Sequence, residues 1–407
     1  MIIRYTFRNF YSFAEETEVD FTVGLRAGDR PGIVETEAGY RVNHVTGVFG
    51  ANASGKTNLL KPLGFLAWFV LDSARAKPGS EILFEAFAFG DGDGERPTEI
   101  AVEFEFGGGH YLYEATFRRD RVLSESLHRK KTRFSYLFER IWDEEAGEYE
   151  FKAQDIGPAA QVPLRANASW LSSALLQEHE LALRLHPFFL SLHGNLGPDG
   201  RTPLHDAEFT NLVSAAEFFD ADPETLRRAS SLMAGFDLGL TKVRTERIKN
   251  TGPDGKEYEF TFPVAEHQVA GRNHLRALMQ ESRGTQALFV LLRYLLPVLE
   301  SGGVAFIDEF ESGLHPHMVR AIVDLFFNPA TNPKDAQLIA TFHTDFLLRD
   351  TLHKYQVYLV EKGDDLVSRA YRLDSFRKAK GGKAPRNVEN LFEKYHAGSY
   401  GGVPEFS

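Results

Sequence analysis

The chain contains no cysteine. Disulfides and thiolate metal sites are therefore excluded, and the composition suits a reducing compartment. Long hydrophobic runs are missing as well. The longest, Leu63–Leu71 and Ala287–Leu299, fall short of a bilayer span, and Arg293 interrupts the second. The opening residues Met1-Ile2-Ile3-Arg4-Tyr5 lack the basic and apolar regions of a signal peptide, so a cytoplasmic protein with no membrane partner is expected. An excess of positive charge is absent too. The net charge of −11 argues against a protein coated in nucleic acid, although a local basic patch is compatible with it. We find no internal repeat, no long low-complexity tract and no long heptad insertion. What remains is a chain of 407 residues, 43% hydrophobic, which is ample for a core and long enough for two or three domains.

The most informative stretch is Gly50-Ala51-Asn52-Ala53-Ser54-Gly55-Lys56-Thr57. It fits the phosphate-binding pattern G-x-x-x-x-G-K-[ST] without a mismatch. Val45–Phe49 reads as a buried strand entering the loop, and Asn58–Ala76 as the helix leaving it. Gly50 and Gly55 let the backbone turn so that successive N–H groups face phosphate oxygens, and the helix N-terminus adds partial positive charge. Lys56 is expected to reach the β- and γ-phosphates, and the Thr57 hydroxyl to ligate Mg²⁺. Asn52, Ala53, Ser54 and Asn58 complete the expected loop contacts to ATP.

Taken in order, Ile2–Phe10 and Glu16–Val23 read as a strand pair. Phe84–Phe89, Glu99–Phe106, Tyr111–Arg118, Val122–Arg129 and Arg133–Trp142 read as short antiparallel strands separated by Gly/Asp turns. Ser169–Leu185 and Thr202–Gly235 read as helices, parted by Pro187 and a turn at Gly194–Gly200. Leu240–Ile248 and Tyr258–Val264 predict a further hairpin. From Gly284 the pattern becomes helix–strand–helix–strand, with strands at Val304–Asp308, Gln337–Thr341 and Gln356–Glu361. That alternation implies a parallel sheet shared with the phosphate loop. The expected divisions are 1–81, 82–165 (an inserted β region), 166–238 (a helical arm) and 239–407.

Val304-Ala305-Phe306-Ile307-Asp308-Glu309 is an apolar strand ending in two acids. A strand buried on both faces delivers Asp308 to the carboxyl edge of the sheet, where ligands bind in this architecture. Asp308 is the expected Mg²⁺ carboxylate and Glu309 the group that polarises the attacking water. Ser282-Arg283-Gly284-Thr285-Gln286 precedes a helix upstream of that strand. Glu311-Ser312-Gly313-Leu314-His315-Pro316 follows the acids, and Thr341-Phe342-His343-Thr344 ends the next strand. Alone, Ser282 reads equally as a helix N-cap and His343 as a loop histidine.

In order and spacing these four segments resemble the signature motif, Walker B strand, D-loop and switch histidine of ABC/SMC-class ATPases. Their wording, with Val360-Glu361-Lys362 and the closing Gly398-Ser399-Tyr400-Gly401-Gly402-Val403-Pro404, is similar to the stand-alone AAA/ABC-like ATPases of bacterial defence operons. That group includes the PARIS-, AbiL- and RloA-type ATPase subunits. The resemblance spans nearly the whole chain and is strongest over 45–60 and 278–362. It implies an α/β P-loop ABC/SMC-type head and a self-association in which Ser282, Gly284 and Thr285 of one protomer cap the γ-phosphate held by another. It also implies a helper role for His343 at that phosphate, and control of a separate effector, a nuclease or a toxin, in anti-phage defence. The alternatives are an ATPase acting on DNA ends and a slow scaffold that sequesters a toxin. A Q-loop glutamine is not identified; Gln154, Gln161 and Gln177 are the candidates.

Asn332-Pro333-Lys334-Asp335 lacks the order of a guanine-reading motif and reads as a surface turn. Too few residues follow Glu361 and Asp364-Asp365 for a nuclease fold, so the chain is not expected to cut nucleic acid by itself. Pro316 in His315-Pro316-His317 reads as a helix start rather than part of a metal site. Arg377, Lys378, Lys380, Lys383 and Arg386 form a basic stretch free of acids, read as a solvated loop or as a contact to nucleic acid or a partner.

Overall fold

The computed structural model describes residues 1–89, 96–158, 161–204, 210–236, 238–251, 257–376 and 390–402. The basic stretch 377–386 lies outside them.

Two sheets carry the fold. The first is antiparallel and seven-stranded, in the order Glu148–Ala153, Phe134–Asp143, Val122–Lys130, Gly109–Phe117, Thr98–Phe106, Ile2–Arg8, Thr17–Asp20. Strand alternation explains its one-sided burial: in Ile2–Arg8, Tyr5 and Phe7 are buried while Arg4, Thr6 and Arg8 are half-exposed. The β region expected at 82–165 is continuous with the N-terminal hairpin, because Thr98–Phe106 pairs directly with Ile2–Arg8.

The second sheet has six strands in the order Leu192–Gly194, Val304–Ile307, Gln337–Thr341, Val45–Gly50, Val357–Lys362, Ser368–Arg372. All neighbours are parallel except the last pair. Its inner strands are buried on both faces, and the period of two sorts their residues between two cores. Val304, Phe306, Ile339, Val48 and Val360 join the helix Lys56–Leu71 and the inner face of the antiparallel sheet. Ala305, Ile307, Leu338, Ala340 and Leu359 join the helices Arg283–Ser301 and Pro316–Phe327. Gln337, fully buried, fastens the sheets together: its Oε1 accepts from Ile2 N at 2.7 Å and its Nε2 donates to Ile2 O at 2.9 Å.

The helical region expected at 166–238 is shared between these cores. Trp170–Leu176 and Glu180–Leu190 place Trp170, Phe188 and Phe189 in the first. Thr210–Ala221 and Pro223–Gly235 place Phe219 and Met233 in the second. Neither expected helix is continuous. Glu178 adopts a positive φ of 53° between the first two. Asp222 caps Pro223–Gly235 by accepting from Glu224 N at 3.1 Å and Thr225 N at 3.2 Å, with proline in the first turn.

Three further expectations are corrected. Phe84–Phe89 is not a strand. Phe84 packs against Phe10, Phe65 and Phe117 from irregular backbone, so ring packing rather than a ladder accounts for its aromatic content. Two short polar strands, Glu148–Ala153 and Arg272–Ala277, extend sheets where no strand was expected. Gly194, expected to open a turn, instead ends the edge strand Leu192–Gly194 of the parallel sheet.

A buried ion pair ties the antiparallel sheet to Trp170–Leu176. Arg140 Nη2 lies 2.6 Å from Glu125 Oε2, both side chains being fully buried. Glu125 also accepts from Ser169 Oγ at 2.6 Å and Trp170 N at 2.8 Å. Arg140→Met leaves that carboxylate buried and unpaired, at an expected cost of about 3–5 kcal/mol. Urea unfolding measures this, and adding Glu125→Gln should recover part of the loss. A single-variant cost below about 1 kcal/mol would contradict a structural role for the ion pair.

Candidate nucleotide site

The phosphate loop takes the shape its glycines permit. Gly50 has φ 155° and Gly55 φ 111°, and Ala53 joins them at φ 60°. A Cβ on Gly50 would stand 2.3 Å from Val360 O, and one on Gly55 2.3 Å from Ser368 Oγ. Neighbouring strands thus exclude a side chain at both positions. Asn52 and Ala53 are exposed at the crest of the loop. Asn58 Nδ2 donates to Ser12 Oγ at 2.9 Å, and Ser368 Oγ joins Ser12 Oγ at 2.7 Å and Ser54 O at 2.6 Å. This hydroxyl cluster fixes the back of the loop.

Lys56 opens the following helix and is 6% exposed. Its Nζ donates to Gly50 O at 2.8 Å and Ala51 O at 3.1 Å. Burial lowers its pKa, against the opposing pull of Asp308, Glu311 and Glu309. Thr57 Oγ1 lies 3.0 Å from each carboxylate oxygen of Asp308, joining the loop to the acid strand.

Asp308 is 2% exposed and held from three sides. Thr341 Oγ1 donates to its Oδ1 at 2.8 Å. Asn195 brackets its backbone, accepting from Asp308 N at 2.8 Å and donating to Asp308 O at 3.1 Å. Arg201 Nη1 approaches its Oδ2 at 3.3 Å. Glu309 follows with φ 53°, uncommon for a residue bearing a side chain, and its N–H donates to Thr341 Oγ1 at 2.8 Å. Its Oε1 lies 2.5 Å from Arg201 Nη1 and 3.6 Å from His343 Nε2. Burial pushes the Glu309 carboxyl up, but Arg201 and His343 outweigh it and hold the group below the usual carboxylate range. Glu311 Oε1 accepts from His343 N and Thr344 N, steadying the turn that carries the histidine.

The structure therefore brings together the phosphate loop, Asp308, Glu309 and His343. The signature residues sit apart from them. Ser282 is exposed at the N-terminus of Arg283–Ser301, accepts from Thr285 N at 3.2 Å and contacts Thr285 Oγ1 at 2.8 Å. A Cβ on Gly284 would stand 2.7 Å from Gly313 O, so this turn packs on the loop that follows the acids. None of the three glutamine candidates joins the site: Gln154 bonds Tyr136 O at 2.5 Å, Gln177 ends a helix and Gln161 is exposed. Asn195, Arg201 and the role of Thr341 were not foreseen. The first two lie in the Gly194–Gly200 turn or just past it, where only the glycine spacing hinted at a close approach.

The donor set suits a magnesium nucleotide. Positive φ angles shape the loop, the buried Ser54 hydroxyl has no partner among the described residues, and the Thr57 hydroxyl and the Asp308 carboxylate face one another. Pro316 opens its helix as expected, and among the described residues no cluster of His, Cys, Asp and Glu could hold a metal. Glu361 is engaged with the C-terminal segment, accepting from Gly402 N at 2.9 Å and Tyr371 OH at 3.1 Å. Among the described residues no helix is long and apolar enough to cross a membrane.

A strand–loop–helix phosphate cradle beside the buried Asp308 at the end of an apolar strand, on a parallel sheet, defines an α/β P-loop fold of the ATPase class. Residues 45–349 match the family model described as "AAA domain, putative AbiEii toxin, Type IV TA system", and the chain belongs to that family. No curated protein matches the chain. Among solved structures it is similar to the Smc head bound to the C-winged helix domain of ScpA. The identity there is 14% and the TM-score 0.46, covering 93% of this chain and 99% of that one. It is also similar to the SMC head domain from Thermotoga maritima, at 14% identity and TM-score 0.43, covering 91% of this chain and 98% of that one.

Proposed function

We propose that the chain binds and hydrolyses ATP, that two heads close around the nucleotide, and that closure controls a separate effector in bacterial anti-phage defence. The observation that carries the hydrolytic reading is the convergence of Lys56, Thr57, Asp308 and Glu309 on one sheet edge. In this reading the loop N–H groups and Lys56 hold the phosphates, and Thr57 with Asp308 holds Mg²⁺. When held there, Mg²⁺ would supply positive charge against the phosphate oxygens. Glu309, kept ionised by Arg201 and His343, accepts the proton of the attacking water. His343 stands at the γ-phosphate end, and Ser282, Gly284 and Thr285 act on the nucleotide of the partner head.

The exposure of Ser282 supports a contact made in trans, and its capping bond to Thr285 keeps the turn rigid. The family's description names a toxin and a toxin–antitoxin system, which supports a role beside a toxin activity; a separate nuclease or toxin effector is our proposal. The divisions at 81, 165 and 238 remain part of this proposal, as does contact to nucleic acid or a partner through Arg377, Lys378, Lys380, Lys383 and Arg386.

Ser282→Arg tests the composite site. An arginine there still permits ATP binding by an isolated head but blocks approach to the partner's γ-phosphate. ATP affinity is expected to change less than about threefold, while turnover falls at least about a hundredfold and ATP-dependent association is lost. Light scattering and phosphate release read this. A variant that hydrolyses normally and still associates on ATP addition rules out action in trans.

A further inference from the structure

Arg201 is placed by a built element. Leu196–Gly197 and Gly200–Arg201 form a two-stranded hairpin in the register Leu196↔Arg201. Leu196 is buried, and its carbonyl lies so near the helix Lys56–Leu71 that a Cβ on Gly64 would stand 2.4 Å from it. Asn195, just before the hairpin, bonds both backbone sides of Asp308 and also Thr202, accepting from Thr202 N at 2.8 Å. The hairpin is thus fastened to the acid strand at the residue whose carboxylate Arg201 meets.

A single nitrogen, Nη1, spans the pair, 2.5 Å from Glu309 Oε1 and 3.3 Å from Asp308 Oδ2. Asp308 is also the carboxylate that faces Thr57. A guanidinium and a divalent cation drawn to the same oxygens repel each other, and each lowers the affinity of the other. We propose that Arg201 is a positioning residue of the site: it competes with the divalent cation for Asp308, and it holds the Glu309 carboxylate in place. The second half rests on the hydrolytic reading above; the first does not.

The test uses the full chain and Mn²⁺ as the probe, titrated without nucleotide and followed by the EPR signal of free Mn²⁺. Arg201→Gln removes the charge but retains an amide, and the side chain is one-third exposed, so folding should survive; a melting curve checks this. Mn²⁺ affinity is expected to rise at least about tenfold in Arg201→Gln and to return most of the way to wild type in Arg201→Lys. Turnover at saturating Mg²⁺ should fall at least about tenfold with KM for ATP nearly unchanged, because Glu309 loses its anchor. Unchanged Mn²⁺ affinity in a folded Arg201→Gln protein overturns the competition. Wild-type turnover in that variant overturns the positioning role. If the wild-type chain hydrolyses no ATP, the parent reading fails, and the Mn²⁺ titration still decides the competition.

Discussion

Glu309→Gln is expected to lower ATP turnover by about two to four orders of magnitude while leaving ATP affinity within a few-fold of wild type. Glutamine keeps the shape of the side chain and an oxygen for the Arg201 contact, but it cannot take a proton from water. The position is not freely interchangeable with its neighbours. Its backbone lies at φ 53°, fixed by the N–H bond to Thr341, and its carboxylate lies between Arg201 and His343. Asp308, one residue earlier, is 2% exposed and engaged by Thr57, Thr341 and Arg201, so it cannot substitute as the base. In the proposed cycle, where hydrolysis opens paired heads, the variant should also accumulate ATP-bound dimers. Phosphate release, binding of a labelled ATP analogue and light scattering together check the expectation. Turnover within about twofold of wild type would move the base to another residue, His343 being the nearest alternative.

The parts legible in the sequence were those whose chemistry demands particular residues at particular spacing. A phosphate loop cannot form without its glycines, and Gly50 and Gly55 indeed have no room for a Cβ. The short apolar runs Val304–Ile307 and Leu338–Ala340, each followed within a residue or two by a polar site residue, read as strands buried on both faces, and both lie in such strands. Leu192–Gly194 carries too few residues for any periodicity to show, yet it starts the segment that delivers Asn195 and Arg201. Those two residues act through tertiary placement alone. The break between the helices at Thr210–Ala221 and Pro223–Gly235 was present as Asp222-Pro223, a cap followed by a first-turn proline, but the apolar spacing on either side masked it. Phe84–Phe89 misled in the opposite direction: Phe84 packs on rings from irregular backbone and Phe89 is exposed, so the aromatic enrichment marks no strand.

Lys56→Ala is expected to weaken ATP binding by at least about a hundredfold and to abolish measurable turnover. The ammonium is the one cation within the phosphate loop itself, at the start of the helix and against Gly50 O and Ala51 O. Loss of two charge-assisted hydrogen bonds, each about 1.5–3 kcal/mol, amounts to about 3–6 kcal/mol, a hundredfold or more in affinity. Alanine leaves the helix propensity intact and Thr57, Asp308 and Glu309 in place, so the fold should persist. Burial opposes the charged form of Lys56, which means that its removal also relieves a desolvated cation. Stability should therefore change by no more than about 1 kcal/mol, in contrast to the loss expected for Arg140→Met. Titration with a fluorescent ATP analogue, set beside a thermal melt, separates the two effects. Undiminished affinity in a folded Lys56→Ala protein would remove the nucleotide from this loop, and with it the proposed roles of Thr57, Asp308 and Glu309 in binding and hydrolysis.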